Sequence, residues 1–180
     1  LASADPSIPI AMLEKAAEAE KLTADRTALL ARLQMHTGHP ERAIELYERA
    51  LQAGSRLHHV KNDLALLLAE QGGDLERAEK LAQVAVEAPG EQIDANDTLG
   101  YVYLKQGRPN VAYWKFRYVI DNARTPRAEY YYHLALALVE MERLEDAQAA
   151  LNSSLDIDPL FEPARQLKAT LDGEALDSAS

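Results

Sequence analysis

Five histidines and an excess of carboxylates are the groups in this sequence that could do chemistry. His58 and His59 are adjacent, so on a helix they point about 100° apart and cannot easily share a metal ion. His36 and His39 straddle Gly38 and could meet across a turn, but no further ligand stands nearby. A zinc site takes three or four ligands, so the plainer expectation is two exposed turn histidines. Glu45/Glu48 and Glu142/Glu145 are acid pairs at helical spacing. General acid–base work needs a carboxyl raised in pKa by a pocket, and nothing in these polar stretches supplies one. The chain has no cysteine, which excludes a disulfide scaffold, a thiolate nucleophile and a cysteine zinc site. It has no Gly-rich phosphate loop and no Ser–His–Asp signature. The expectation is a protein that is no enzyme and holds neither metal nor cofactor.

The elements that would position any site are helices. Among 180 residues there are 31 Ala and 27 Leu but only 8 Gly and 8 Pro. Ala and Leu are the strongest helix formers, so the fold expected is all-α. A net charge of −10 repels phosphate backbones and anionic lipid, so neither nucleic acid nor a membrane surface is an expected partner. No apolar run approaches the ~18 residues of a membrane span. The first residue is Leu and no basic–apolar leader follows, which reads as a piece of a longer chain, cytoplasmic or periplasmic.

Four segments repeat. Leu30, Leu64, Leu99 and Leu134 are spaced by 34, 35 and 35 residues, and each is followed by a small residue: Ala31, Ala65, Gly100 or Ala135. Ala43, Ala78, Ala112 and Ala147 are spaced by 35, 34 and 35. Two landmarks holding one register across four copies indicate a tandem array. Each copy reads as two helices joined at a turn, with the second starting near Pro40, Asp74, Pro109 or Leu144. Proline suits a first helical position and aspartate an N-cap. The small residue lets the neighbouring helix come close.

This pattern resembles the tetratricopeptide repeat family, helix–turn–helix units of 34 residues. The third copy matches best, with Leu99, Gly100, Tyr103, Gly107, Ala112 and Phe116. Three departures stand out. The aromatic expected near the start of a repeat is Thr27, Lys61 or Asn96 in the first three copies, and only Tyr131 matches. Glu142 stands at the turn glycine of the fourth, and Gly54–Ser55 closes the first without proline. The resemblance implies a right-handed superhelix of stacked pairs. The boundaries read as 24–57, 58–92, 93–127 and 128–160. They are preceded by an N-terminal segment 1–23 with a helix at 8–21. A capping helix at 161–172 and a disordered tail at 173–180 follow.

In such an array the first helix of each pair lines a concave groove. Positions i, i+4 and i+7 offset from the packing leucine face it. They are Ala28, Arg32 and Met35 in the first copy, then Asn62, Leu66 and Ala69. The third gives Asp97, Tyr101 and Leu104, and the fourth Tyr132, Leu136 and Val139. Family members that clamp a C-terminal carboxylate use Lys, Arg and Asn there. Only Arg32 and Asn62 fit that role, and Asp97 opposes it. The expectation is a groove for a protein or peptide segment with apolar anchors, and hence an adaptor. On the second helix of copy three, Trp114 and Tyr118 are i, i+4 neighbours that should point outward, a candidate second contact or self-association patch. The incomplete first repeat and the non-Met start motivate an alternative, a spacer or multimerisation segment within a larger secretion, assembly or polysaccharide-export machine, able to form a homo-oligomer.

Overall fold

The computed structural model describes residues 15, 22–54, 58–90 and 92–178. Nine α-helices and no strand occur among them: α1 Ala24–His36, α2 Pro40–Gln52, α3 His58–Glu70, α4 Leu75–Val86, α5 Gln92–Lys105, α6 Pro109–Asn122, α7 Ala128–Glu140, α8 Leu144–Ile157 and α9 Glu162–Ser178. The starts follow the chemistry of orphan helix N–H groups. The Arg26 N–H donates to the Thr23 hydroxyl at 3.4 Å, and the Arg77 N–H to the Asp74 carboxylate at 2.9 Å. Pro40 and Pro109 open α2 and α6, where no N–H is missed.

The turns inside the pairs share one device. Gly38, Gly72 and Gly107 have φ of 79°, 65° and 72°, the left-handed conformation that closes a helix C-terminus. Glu142 takes the same conformation at φ 58° without being glycine. The fourth copy thus keeps the turn and accepts a strain of roughly 1–2 kcal/mol.

The chain divides into two compact units, the first ending at Ala88 and the second beginning at Pro89. In unit 1, α1 packs on α2, α2 on α3 and α3 on α4. In unit 2, α5 packs on α6, α6 on α7, α7 on α8 and α8 on α9, while α5 also reaches α7. The small residues of both landmarks sit where helices meet: Ala31, Ala43, Ala65, Ala78, Ala112, Ala135 and Ala147 are completely buried. Leu30, Leu46, Tyr47 and Leu64 fill the core of unit 1, and Val102, Phe116, Val119 and Leu151 that of unit 2. Gly100 marks the tightest approach. A Cβ there would lie 2.7 Å from Phe116 Cε1 and 3.0 Å from Lys115 Cβ.

Two boundaries differ from expectation. Helix α5 begins at Gln92, one residue before position 93. Helix α9 runs to Ser178, past the expected end of the capping helix at 172, and residues 179–180 of the expected tail lie outside the described residues. An internal Gly173 costs a helix only ~1 kcal/mol, so small polar composition did not stop it. The expected helix at 8–21 lies outside the described residues apart from Lys15.

Candidate partner-binding site

The first helices carry the residues that sequence spacing assigns to a groove. In unit 1, Arg32 on α1 is exposed, and Met35 on α1 and Asn62 and Leu66 on α3 are half-buried. Ala28 and Ala69 are buried instead, so they line nothing. The polar centre of this unit is Asp63. It accepts a hydrogen bond from the Tyr47 hydroxyl at 3.0 Å and another from the Asn62 amide, with the Arg32 charge nearby. Burial pushes the Asp63 carboxyl above its ordinary range, against the pull of Tyr47, His59 and Arg32. Burial and the Asp63 charge likewise push the Tyr47 hydroxyl far up. Asn62 Oδ1 is buried and accepts no hydrogen bond among the described residues.

In unit 2, Tyr101 and Leu104 on α5 and Tyr132, Leu136 and Val139 on α7 are half-buried, so they form a face and not a core. Asp97 is more deeply set, 9% exposed. Its Oδ2 lies 2.9 Å from His133 Nδ1. The His133 ring is ringed by others: Tyr101 at 5.2 Å, Phe116 at 5.6 Å and Tyr132 at 5.7 Å between centroids. Phe161 meets Tyr132 edge-on at 5.6 Å. Burial and the neighbouring Tyr101 raise the Tyr132 hydroxyl. The Lys105 ammonium sits 5.2 Å over the Tyr101 ring. At the start of α7, Arg127 binds Asp94 and Glu129, and the Tyr130 hydroxyl donates to Asp94 at 2.8 Å. Burial and Asp94 push Tyr130 up to about 12.

The second helix of the third copy has its own surface. Trp114 is 71% exposed and Tyr118 43%, with Val111 beside them at 37%. Tyr113 meets Trp114 edge-on at 5.1 Å. Lys115 turns away to donate to Asn96 Oδ1 at 2.9 Å, and Arg117 pairs with Asp121. A cleft of about 250 Å³ runs alongside, lined among others by Tyr113, Tyr131, Leu138, Arg143 and Ser153.

The spacing argument missed the two pairs that organise the faces, Tyr47–Asp63 and Asp97–His133. A signal existed: Asp63 and His133 each stand immediately before the packing leucine, Leu64 or Leu134. The acid pair Glu45/Glu48 dissolves into ion pairs, with Glu45 on Arg42 and Glu48 on Arg77. His39 Nδ1 lies 3.1 Å from the Thr37 hydroxyl. Among the described residues no three metal-ligating side chains cluster, and no helix is long and apolar enough to cross a membrane.

Helix pairs joined by left-handed turns, with small residues at every crossing, define an all-α helical-repeat scaffold of the kind that serves protein–protein interaction. The tetratricopeptide repeat pattern matches residues 28–92 and again 128–159, together more than half of the chain. This chain belongs to the tetratricopeptide repeat family. Solved structures agree. TTC0263, a thermophilic TPR protein of Thermus thermophilus, aligns with a TM-score of 0.72 at 20% identity, covering 90% of this chain and 88% of that one. YrrB, a TPR protein with an unusual peptide-binding site, gives 0.67 at 22% identity, covering 89% and 81%. MamA from residue 41 to its end, from Desulfovibrio magneticus RS-1, gives 0.63 at 22% identity, covering 86% of each. No curated protein sequence matches. At these identities the likeness carries the fold alone.

Proposed function

We propose that the protein is an adaptor that holds a peptide segment of a partner protein on the faces of its first helices. One observation carries this reading. Leu66, Tyr101, Leu104, Tyr132 and Leu136 sit on those helices half-open to solvent, while the packing leucines beside them are buried. Large apolar and aromatic groups left at a surface are the usual anchors of a protein interface. The family and the peptide-binding site named for YrrB favour the same use. Arg32, Asn62 and Asp97 supply the polar contacts, and Met35 a further apolar one. The test is selection from a displayed library of random twelve-residue peptides, followed by titration of a selected peptide. Changing Tyr101→Ala and Tyr132→Ala together should weaken binding by about 2 kcal/mol, near thirtyfold. Unchanged affinity in the folded double variant overturns the assignment.

A second reading rests on a different surface. At the places of Val111, Trp114 and Tyr118, α2 carries Arg42, Glu45 and Arg49, and α8 carries Asp146, Ala149 and Ser153. Only α6 shows an apolar stripe there, which favours self-association of two copies through α6 or a spacer role within a larger assembly. Two antiparallel α6 helices would set Val111 against the other copy's Tyr118 and bring the Trp114 side chains together. Sedimentation velocity should then show a dimer that Trp114→Ala abolishes. A monomer at all concentrations removes this reading.

A further inference from the structure

The α5–α7 face of unit 2 is built around one carboxylate with a free valence. Asp97 is more than nine-tenths buried, and its Oδ2 is taken by His133. Its Oδ1 is also buried and accepts no hydrogen bond among the described residues. An unmatched buried acceptor costs roughly 1–3 kcal/mol, more when it is charged. A charge is not required at this position, because the register-equivalent residue of unit 1 is the neutral Asn62. Around Asp97 and His133 stand the faces of Tyr101 and Tyr132, with Phe161 behind Tyr132. A carboxylate bordered by electron-rich ring faces is the chemistry of cation recognition. The chain already shows it, because the exposed Lys105 lays its ammonium over the Tyr101 ring.

We infer that this face selects a partner segment anchored by an arginine or lysine side chain, which displaces Lys105, stacks on Tyr101 and Tyr132, and opens the face enough to donate to Asp97 Oδ1, an atom closed to solvent in the unbound protein. Arginine fits better than lysine, since its planar guanidinium can stack and donate at once. A C-terminal carboxylate is repelled here. Lys105 is the movable part of the wall and competes with the incoming cation for Tyr101. This inference rests on the groove reading above and deepens it.

The random peptide library separates the two. On the wild-type protein, selected peptides should share a basic residue at one position flanked by apolar ones. On Asp97→Asn the apolar flanks should persist and the basic position should be lost. A selected arginine peptide should bind that variant at least tenfold more weakly. Asp97→Asn changes only one unit of a net charge of −10, so general attraction of basic peptides cannot account for such a loss. Lys105→Gln, at the exposed rim, gives a readout that does not depend on the fold around Asp97. It should raise affinity for the arginine peptide two- to threefold. A basic preference that survives Asp97→Asn, peptides chosen for acidic or terminal carboxylate groups, or no gain in Lys105→Gln each overturn the cation site. Peptides that bind wild type and the Tyr101/Tyr132 double variant alike overturn the groove reading instead. If no peptide is enriched on the wild type, both fall.

Discussion

The two units place different chemistry in the same slot. In each, the residue before the packing leucine of a first helix packs beside the aromatic residue of the preceding second helix. Unit 1 puts Asp63 against Tyr47, with a hydroxyl donating to a carboxylate. Unit 2 puts His133 against Phe116, which offers no hydrogen bond, and the imidazole turns to Asp97 instead. The acid of unit 1 is therefore satisfied inside its slot by Tyr47 and Asn62. The acid of unit 2, Asp97, stands on α5 at the register place of Asn62, and its Oδ1 accepts no hydrogen bond among the described residues. The slot of unit 1 therefore holds a phenol hydrogen-bonded to a carboxylate, and that of unit 2 an imidazole stacked beside a phenyl ring.

That contrast can be broken from either side. The largest effect should come from giving unit 2 the alanine that unit 1 carries at Ala31 and Ala65. In Gly100→Ala the new methyl meets the fully buried Phe116 ring at 2.7 Å, which cannot yield without moving α6. Overpacking near the upper end of ~1–3 kcal/mol, less ~1 kcal/mol gained in helix propensity, leaves a loss of up to about 2 kcal/mol. Urea denaturation followed by circular dichroism measures it, and an unchanged midpoint would sink the close-approach argument. Next comes Tyr47→Phe, which makes the slot of unit 1 resemble that of unit 2. Asp63 loses one of its two donors but keeps its burial, at a cost of about 1.5 kcal/mol.

Asp63→Asn sharpens the comparison through pH. The folded state raises the Asp63 carboxyl above its ordinary 3.8, so the native chain holds that proton more tightly than the unfolded one. Its contribution to stability is greatest below that value and falls as pH rises through the raised one. At neutral pH the asparagine should match the wild type or exceed it by up to about 1 kcal/mol, since the Tyr47 hydrogen bond survives without a buried charge. Stability measured from pH 4 to 7 should have a flatter profile in the variant. An identical slope in both proteins refutes the burial effect. The smallest change is Glu142→Gly. Relief of left-handed strain, partly offset by greater freedom of the unfolded chain, should raise stability by roughly 0.5–1 kcal/mol. A loss of stability would show that the Glu142 side chain makes a compensating contact.

The repeat architecture is legible because its landmarks are local. Leucine, small residue and alanine recur at spacings that a helix pair imposes, and their burial follows from that geometry alone. The outward Trp114 is legible for the same reason, once Ala112 and Phe116 fix the inward side of α6. The slot pairs are not, because their members stand 16 and 36 residues apart and meet only when one repeat packs on the next. Helical periodicity says which side a residue faces, not which side chain of another helix it finds there. Glu142 illustrates a related gap. Its type departs from the repeat pattern, yet the backbone keeps the left-handed turn, since the packing of α7 on α8 outweighs one residue's preference.

The position of Trp114 has a practical consequence. It is the chain's sole indole, and it already stands largely in water in the native fold. Denaturation should therefore scarcely change its emission, making the indole almost silent to the melting of the chain around it. Anything that settles onto α6 would shift that same signal toward the blue.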